Sequence, residues 1–214
     1  MFPENLAPVE VRVLGSLIEK ELSTPDHYPL SLNALTSACN QSSNRDPVMS
    51  LDEGTVSRAI DTLRRQGLVR SIQGIGSRVP KYQHLMAEFF SRAELAVLCV
   101  LALRGPQTQA EVRTRAARLM PGDDSAAIDA ALEALVTRDA EPVVARLSRR
   151  PGQKEARYAH LLSGAVAEAA DDVQVAPPPP SSDRLAALEE LALELRNEVA
   201  DLRAQLASFR KQFE

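Results

Sequence analysis

The chain has 214 residues, 25 of them basic and 29 acidic, with 44% hydrophobic and 25% charged side chains. That is an ordinary soluble, globular composition, long enough for two small domains and a tail. It excludes a disordered, collagen-like or disulfide-rich chain. The longest apolar run, Ala93 to Leu103, contains Glu94 and is too short to span a bilayer, and the first ten residues are acidic where a signal peptide needs cations. A cytoplasmic protein with no membrane partner is expected.

Residues 1–86 balance nine cations against nine anions and residues 87–162 eleven against ten, whereas residues 163–214 carry five against ten. The acidity lies in the tail, and neither globular part is the basic body of a tight nonspecific DNA binder.

Pro8 to Lys20 places Val9, Val13, Leu14, Leu17 and Ile18 on a helical stripe. A second helix is expected over Leu32 to Cys39, followed by a polar loop from Asn40 to Ser50. Ser50-Leu51-Asp52-Glu53 reads as a capping box opening a third helix, with Val56, Ile60 and Leu63 inward and a stop at Gly67. Leu68–Ile72 and Val79–His84 are strand candidates around Gly74-Ile75-Gly76-Ser77. That glycine pair lacks the Gly-Lys-Ser/Thr ending of a phosphate loop and no helix follows, so a turn is expected.

The same order returns downstream. Ala93-Glu94-Leu95-Ala96-Val97-Leu98 repeats the spacing of Val9-Glu10-Val11-Arg12-Val13-Leu14. Gln107–Leu119 gives another helix, Ile128, Leu132 and Leu135 mirror Val56, Ile60 and Leu63, and Val143–Leu147 with Ala156–Leu162 form a second hairpin. Lys81-Tyr82-Gln83-His84-Leu85 matches Arg157-Tyr158-Ala159-His160-Leu161 in register. Three helices and a hairpin, twice, is the order of tandem winged helix-turn-helix domains. The expected class is mostly α with short β-hairpins (α+β): winged-helix domains at 1–86 and 87–162, an Ala/Pro-rich linker at 163–182 and a coiled-coil helix at 183–214.

That last helix is read from heptads, with Leu185, Ala192, Val199, Leu206 and Phe213 at a and Leu188, Leu195, Leu202 and Phe209 at d. These residues are the expected dimerisation seam. The counterpart is a second copy, another protein or the chain's own globular part.

Three stretches, EVRVLGSLIEKELSTPDHYPLSLNALTSACNQSSNRDPVM at 10–49, RGPQTQAEVRTRAARLM at 104–120 and RRPGQKEARYAHL at 149–161, together resemble the uncharacterised YceH-like bacterial family. The resemblance covers about residues 8–162, leaves out the linker and tail, and implies the tandem winged-helix fold. It brings no catalytic residues.

On the third helix, the face opposite Val56, Ile60 and Leu63 carries Arg58 and Arg65, flanked by Thr55, Ser57 and Thr62. Arg78 and Lys81 add cations on the hairpin. Arginine suits phosphate contact and guanine recognition, and Ser or Thr either role, so these seven residues are the candidate DNA contacts, with Asp61 in their midst as the argument for a merely solvated face. The matching face of the second repeat shows Ala126, Ala130, Glu133 and Thr137 with Asp129 nearby, which suits a brace or a protein contact; only its hairpin turn is basic. The loop Asn40–Asp46 is expected to bond to itself, a partner-binding insertion being the other reading. Cys39 and Cys99 lie in apolar helical patterns as buried free thiols. With His27, His84 and His160 the only histidines, no metal site, cofactor or catalytic constellation is expected. The expected function is a non-enzymatic, dimeric, DNA-binding transcriptional regulator; the alternative is a protein-interaction scaffold that does not touch DNA.

Overall fold

The computed structural model describes residues 5–73, 79–120, 125–138, 142–149 and 155–164. They fall in one compact unit, Met1–Glu168, and a second unit, Ala169–Glu214, holds none of them. The linker from residue 165, the heptad seam and Arg78 therefore lie outside the described residues.

Six α-helices and two small antiparallel sheets make up the described part. The first half runs α1 (Pro8–Ser23), β1 (Leu30–Ser31), α2 (Leu32–Cys39), α3 (Glu53–Arg65), β2 (Val69–Ile72) and β3 (Lys81–His84). The second runs α4 (Arg92–Arg104), β4 (Gln107–Thr108), α5 (Gln109–Ala117), α6 (Ser125–Thr137), β5 (Val144–Arg146) and β6 (Arg157–His160). Each sheet has three strands, ordered β1-β3-β2 and β4-β6-β5. Each hairpin was expected with two strands. The third, two residues long, comes from the segment before α2 or α5, and it is too short to show a period of two. Leu30 opposes Tyr82 as Gln107 opposes Tyr158, and Val69 opposes His84 as Val144 opposes His160. The duplication thus holds in register.

The caps explain the helix starts. Ser31 Oγ accepts from Ala34 N at the head of α2, and Ser91 with Glu94 and Thr108 with Glu111 form reciprocal boxes at α4 and α5. The box expected from Ser50 is not formed. Asp52 takes the cap of α3, its carboxylate accepting from Thr55 N at 2.8 Å, which leaves Glu53 as the first helical residue. A carboxylate is the stronger acceptor at a helix N-terminus, whose dipole favours negative charge. After α3 the chain turns through Gly67 at φ +74°, as the sequence suggested.

Helices α1 and α4 form the centre. Eight of the thirteen residues of α4 are buried, including Leu95–Leu101 without a break, as a helix surrounded by protein requires. The two helices meet where Gly15 carries no side chain: a Cβ there would lie 3.0 Å from Leu103 and 3.1 Å from Ala102. Cys99 Sγ contacts Gly15 O at 3.6 Å.

The loop between α2 and α3 folds onto α1 through charge. The Arg45 side chain has no exposed surface, and its guanidinium donates twice to Glu19, at 2.6 and 3.1 Å, and to Ala38 O at 2.7 Å. Arg12, also buried, donates to Cys39 O and Pro47 O. Asn40 closes the loop by exchanging two 2.8 Å bonds with the backbone of Leu51. The loop bonds to itself only in part, through Arg45 with Asn44 O and Gln41, and its outer end reaches α4, where Asp46 N donates to Leu103 O at 2.8 Å and Arg104 bonds Asn44.

Two outcomes follow from this packing. Glu19→Ala strands the Arg45 guanidinium in the interior and is expected to cost about 3–5 kcal/mol, read as a lower denaturant midpoint; a loss under about 1 kcal/mol would show that water replaces the carboxylate. Both cysteines are free and buried, and burial pushes both thiols up from their ordinary pKa. Thiolate, the reactive form, is therefore scarce at pH 8, and a thiol reagent should label the native protein only at the rate of opening. Labelling as fast as for the denatured chain would contradict this burial.

Candidate nucleic-acid interface

Val56, Ala59, Ile60 and Leu63 are the buried residues of α3, which fixes its rotation and turns the opposite face to solvent. Four of the expected contacts form one continuous stripe there, at positions i, i+3, i+7 and i+10. Thr55 Oγ1 donates to Asp52 at 2.8 Å and accepts from Arg58 Nη2 at 2.9 Å; Thr62 Oγ1 donates to Arg58 O at 3.3 Å and accepts from Arg65 Nη2 at 3.0 Å. Arg58 and Arg65 are exposed, and two helical turns place them about 10 Å apart along the axis. Asp61 lies 3.5 Å from Arg64 on the same surface, so its charge is offset locally.

Ser57 is half-buried on the other flank with Arg64, away from the stripe. Lys81 is exposed on β3 opposite Ser31 and Ile72, and it shares none of the stripe's hydrogen bonds among the described residues.

The matching face of α6 is built differently. Ala126, Ala130, Glu133 and Thr137 are exposed, as expected. Asp129, however, is held by α5: Arg113 Nε donates to it at 3.1 Å, Arg113 Nη2 donates to its other oxygen, and Gln109 donates at 3.1 Å. The Arg113 hydrogen bond, opposed by burial, keeps the Asp129 carboxyl below its ordinary pKa. A cation therefore does stand beside this face, supplied by a neighbouring helix. The sequence signal was the one-turn spacing of Gln109 and Arg113, which aims both at whatever packs on α5.

His84 is another residue the sequence left without a role. Its Nδ1 accepts from Met86 N at 3.2 Å, so the proton sits on Nε2, which meets the Glu21 carboxylate. That hydrogen bond, against the effect of burial, draws the Glu21 pKa down. Tyr28 Oη accepts from His84 N at 2.8 Å. These contacts tie the end of β3 to α1. The equivalent His160 is half-buried, with its pKa lowered by desolvation and Nδ1 unpaired among the described residues. Among those residues no cluster of three or more His, Cys, Asp or Glu is placed to hold a metal ion, and no helix is long and apolar enough to cross a membrane.

Residues 6–153 match the model of a family described as "Protein of unknown function, DUF480". The chain is 51% identical to a UPF0502 protein of Pelobacter propionicus, the alignment covering 96% of each. It is 52% identical to one of Geobacter metallireducens over 96% of each chain. A third, from Aeromonas hydrophila, is 49% identical over 94% of this chain and 93% of its own. An alignment that omits only 4% of 214 residues must run through most of residues 163–214. The family model itself ends at residue 153, before the linker and tail, as the motifs suggested, and the alignments with these relatives continue beyond it.

Proposed function

The chain belongs to this family of unknown function, DUF480 or UPF0502, and we propose that it is a non-enzymatic, cytoplasmic DNA-binding regulator. In this reading each half is a winged-helix module, the first contacts the duplex through α3, and the C-terminal segment joins two copies. The order helix, strand, helix, helix, strand, strand in both halves supports the module assignment. One observation carries the DNA reading: along the Thr55–Arg58–Thr62–Arg65 stripe both arginines stand exposed beside half-buried threonines, and among the described residues they bond only within α3. Guanidinium groups in that state exchange local bonds for phosphate oxygens or guanine edges at low cost.

A second reading, a protein-interaction scaffold, draws on α6. With Asp129 committed to Arg113 and Glu133 exposed, that face offers phosphate no favourable field. We assign α6 to bracing or protein contact and keep the DNA role for α3.

A salt-titrated polarisation assay with genomic duplex fragments separates the two readings. Arg58→Ala with Arg65→Ala is expected to abolish specific binding and to flatten the plot of log affinity against log salt by about 2, near 0.9 per lost phosphate contact. Glu133→Ala should bind like the wild type. Equal affinity of wild type and the double arginine variant across the salt series sinks the reading.

For assembly we infer a parallel homodimer through the 185–213 heptads. In a parallel pair Glu198 at g meets Arg203 at e of the partner and Gln205 meets Arg210, whereas an antiparallel pair sets arginines against one another. Each exposed pair contributes only a few tenths of a kcal/mol, so its sign sets orientation and the apolar seam supplies the affinity. Sedimentation of the full chain beside one ending at Ala176 tests this. A monomeric full chain at tens of micromolar removes the dimer, and a shortened chain that still dimerises moves the interface to the globular part.

A further inference from the structure

Between the N-terminus of α5 and the β5–β6 pair lies an open cleft of about 480 Å³, within the roughly 300–1,000 Å³ range of small-molecule sites. Three arginines and one carboxylate line it: Arg113 from α5, Arg146 at the end of β5, Arg149 just beyond, and Glu155. Arg146 and Arg149 are exposed and meet no carboxylate among the described residues. Arg113 gives Asp129 its Nε and Nη2 and keeps its other donors.

The first two residues of α5, Gln109 and Ala110, line the same cleft. Their N–H groups have no partner inside the helix, and the helix dipole favours an anion beside them. A second observation is independent of charge. Tyr158, only 4% exposed, also lines the cleft. On β6 it stands opposite Arg146. Its phenol brings to the cleft wall a hydroxyl that can donate to a ligand oxygen.

We propose that this cleft binds a small phosphate monoester, its dianion held by Arg113, Arg146 and Arg149 with the first-turn N–H groups of α5 and the Tyr158 hydroxyl. With Asp129 paired to Arg113, the three cations outweigh Glu155 and Asp129 by one positive charge, to which the α5 N-terminus adds its partial charge. A phosphate monoester, with three strong acceptor oxygens, uses this set of donors more fully than a carboxylate with two. Asp129 is the positioning residue, since it fixes Arg113 and Gln109 through hydrogen bonds. The site goes beyond the DNA reading and stands apart from the α3 stripe.

The test is calorimetric titration of the full chain with adenosine 5′-monophosphate and with inorganic phosphate, at matched ionic strength. Saturable binding of either probe is expected, weakened at least about tenfold by Arg146→Ala with Arg149→Ala, since each lost charge-assisted bond removes about that factor. Tyr158→Phe, which deletes one hydroxyl, should weaken it severalfold and serves if the double variant melts early. Arg58→Ala with Arg65→Ala should bind both probes like the wild type, so loss of DNA binding leaves this result standing. No saturable binding of either probe at millimolar concentration overturns the proposal, as does equal binding by the wild type, the double arginine variant and Tyr158→Phe. Arginine-dependent binding of duplex DNA alone, with neither small probe bound, also overturns it and assigns the cleft to a nucleic-acid backbone.

Discussion

The Glu19–Arg45 pair is the constraint on which the first half depends. Taking a carboxylate and a guanidinium out of water is costly, and their attraction alone does not recover that cost unless every remaining donor finds an acceptor. Arg45 meets the condition with Ala38 O, Asn44 O and Gln41 besides Glu19, all of them in or beside the loop it belongs to. The loop satisfies the pair through bonds that fix its own backbone, so the charges act as a constraint on geometry more than as a source of stability. Arg12 adds to the demand. Desolvation, with repulsion from Arg45 behind it, draws its pKa down, and carbonyls of Cys39 and Pro47 are what hold it. The loop so held then sets where α3 begins and reaches α4 through Asp46 and Asn44.

The second half shows what the fold looks like without that constraint. On the repeat spacing, Arg12, Ser16 and Glu19 of α1 correspond to Ala96, Val100 and Leu103 of α4. All three of those are buried and apolar. With no buried charge to satisfy, the second half has a much shorter connection between its second and third helices, from Arg118 to Asp124. Charge in α1 and the long loop between α2 and α3 therefore occur together, and each needs the other. Gly15 and Cys99 occupy equivalent positions on the same spacing, and they touch at the centre of the α1–α4 contact. The two copies meet through the same part of each first helix.

The elements whose pattern is local were legible. Helix α2 has the expected bounds, α3 buries Val56, Ile60 and Leu63, and the strands of both hairpins lie within the expected segments. The Ser91–Glu94 and Thr108–Glu111 boxes were equally visible in the sequence, although only the less favoured box at Ser50 had been singled out. What escaped is tertiary. Arg12 and Glu19 sit in a helix whose apolar stripe made every charged position look solvated, while Arg12 bonds carbonyls 27 and 35 residues away and Glu19 an arginine 26 residues away. No periodicity reports such a contact. The α3 stripe was legible because its neighbours are one helical turn apart. The role of Asp129 was not, because Arg113 comes from another element.

That contrast bears on why two copies of one fold have come to carry different surfaces. In the first half, structural charge is sequestered around Arg45, and among the described residues the cations of α3 bond only to threonines, an aspartate and carbonyls on their own helix. Nothing elsewhere in the described residues depends on them, so a ligand can take them over without loosening the core. In the second half the outward carboxylate of α6 fastens α5 in place. Neutralising Asp129 to suit an anionic partner would release Arg113 and Gln109 together. The first copy can therefore vary its outward helix toward recognition at little structural cost, while the second is constrained to keep its own for packing.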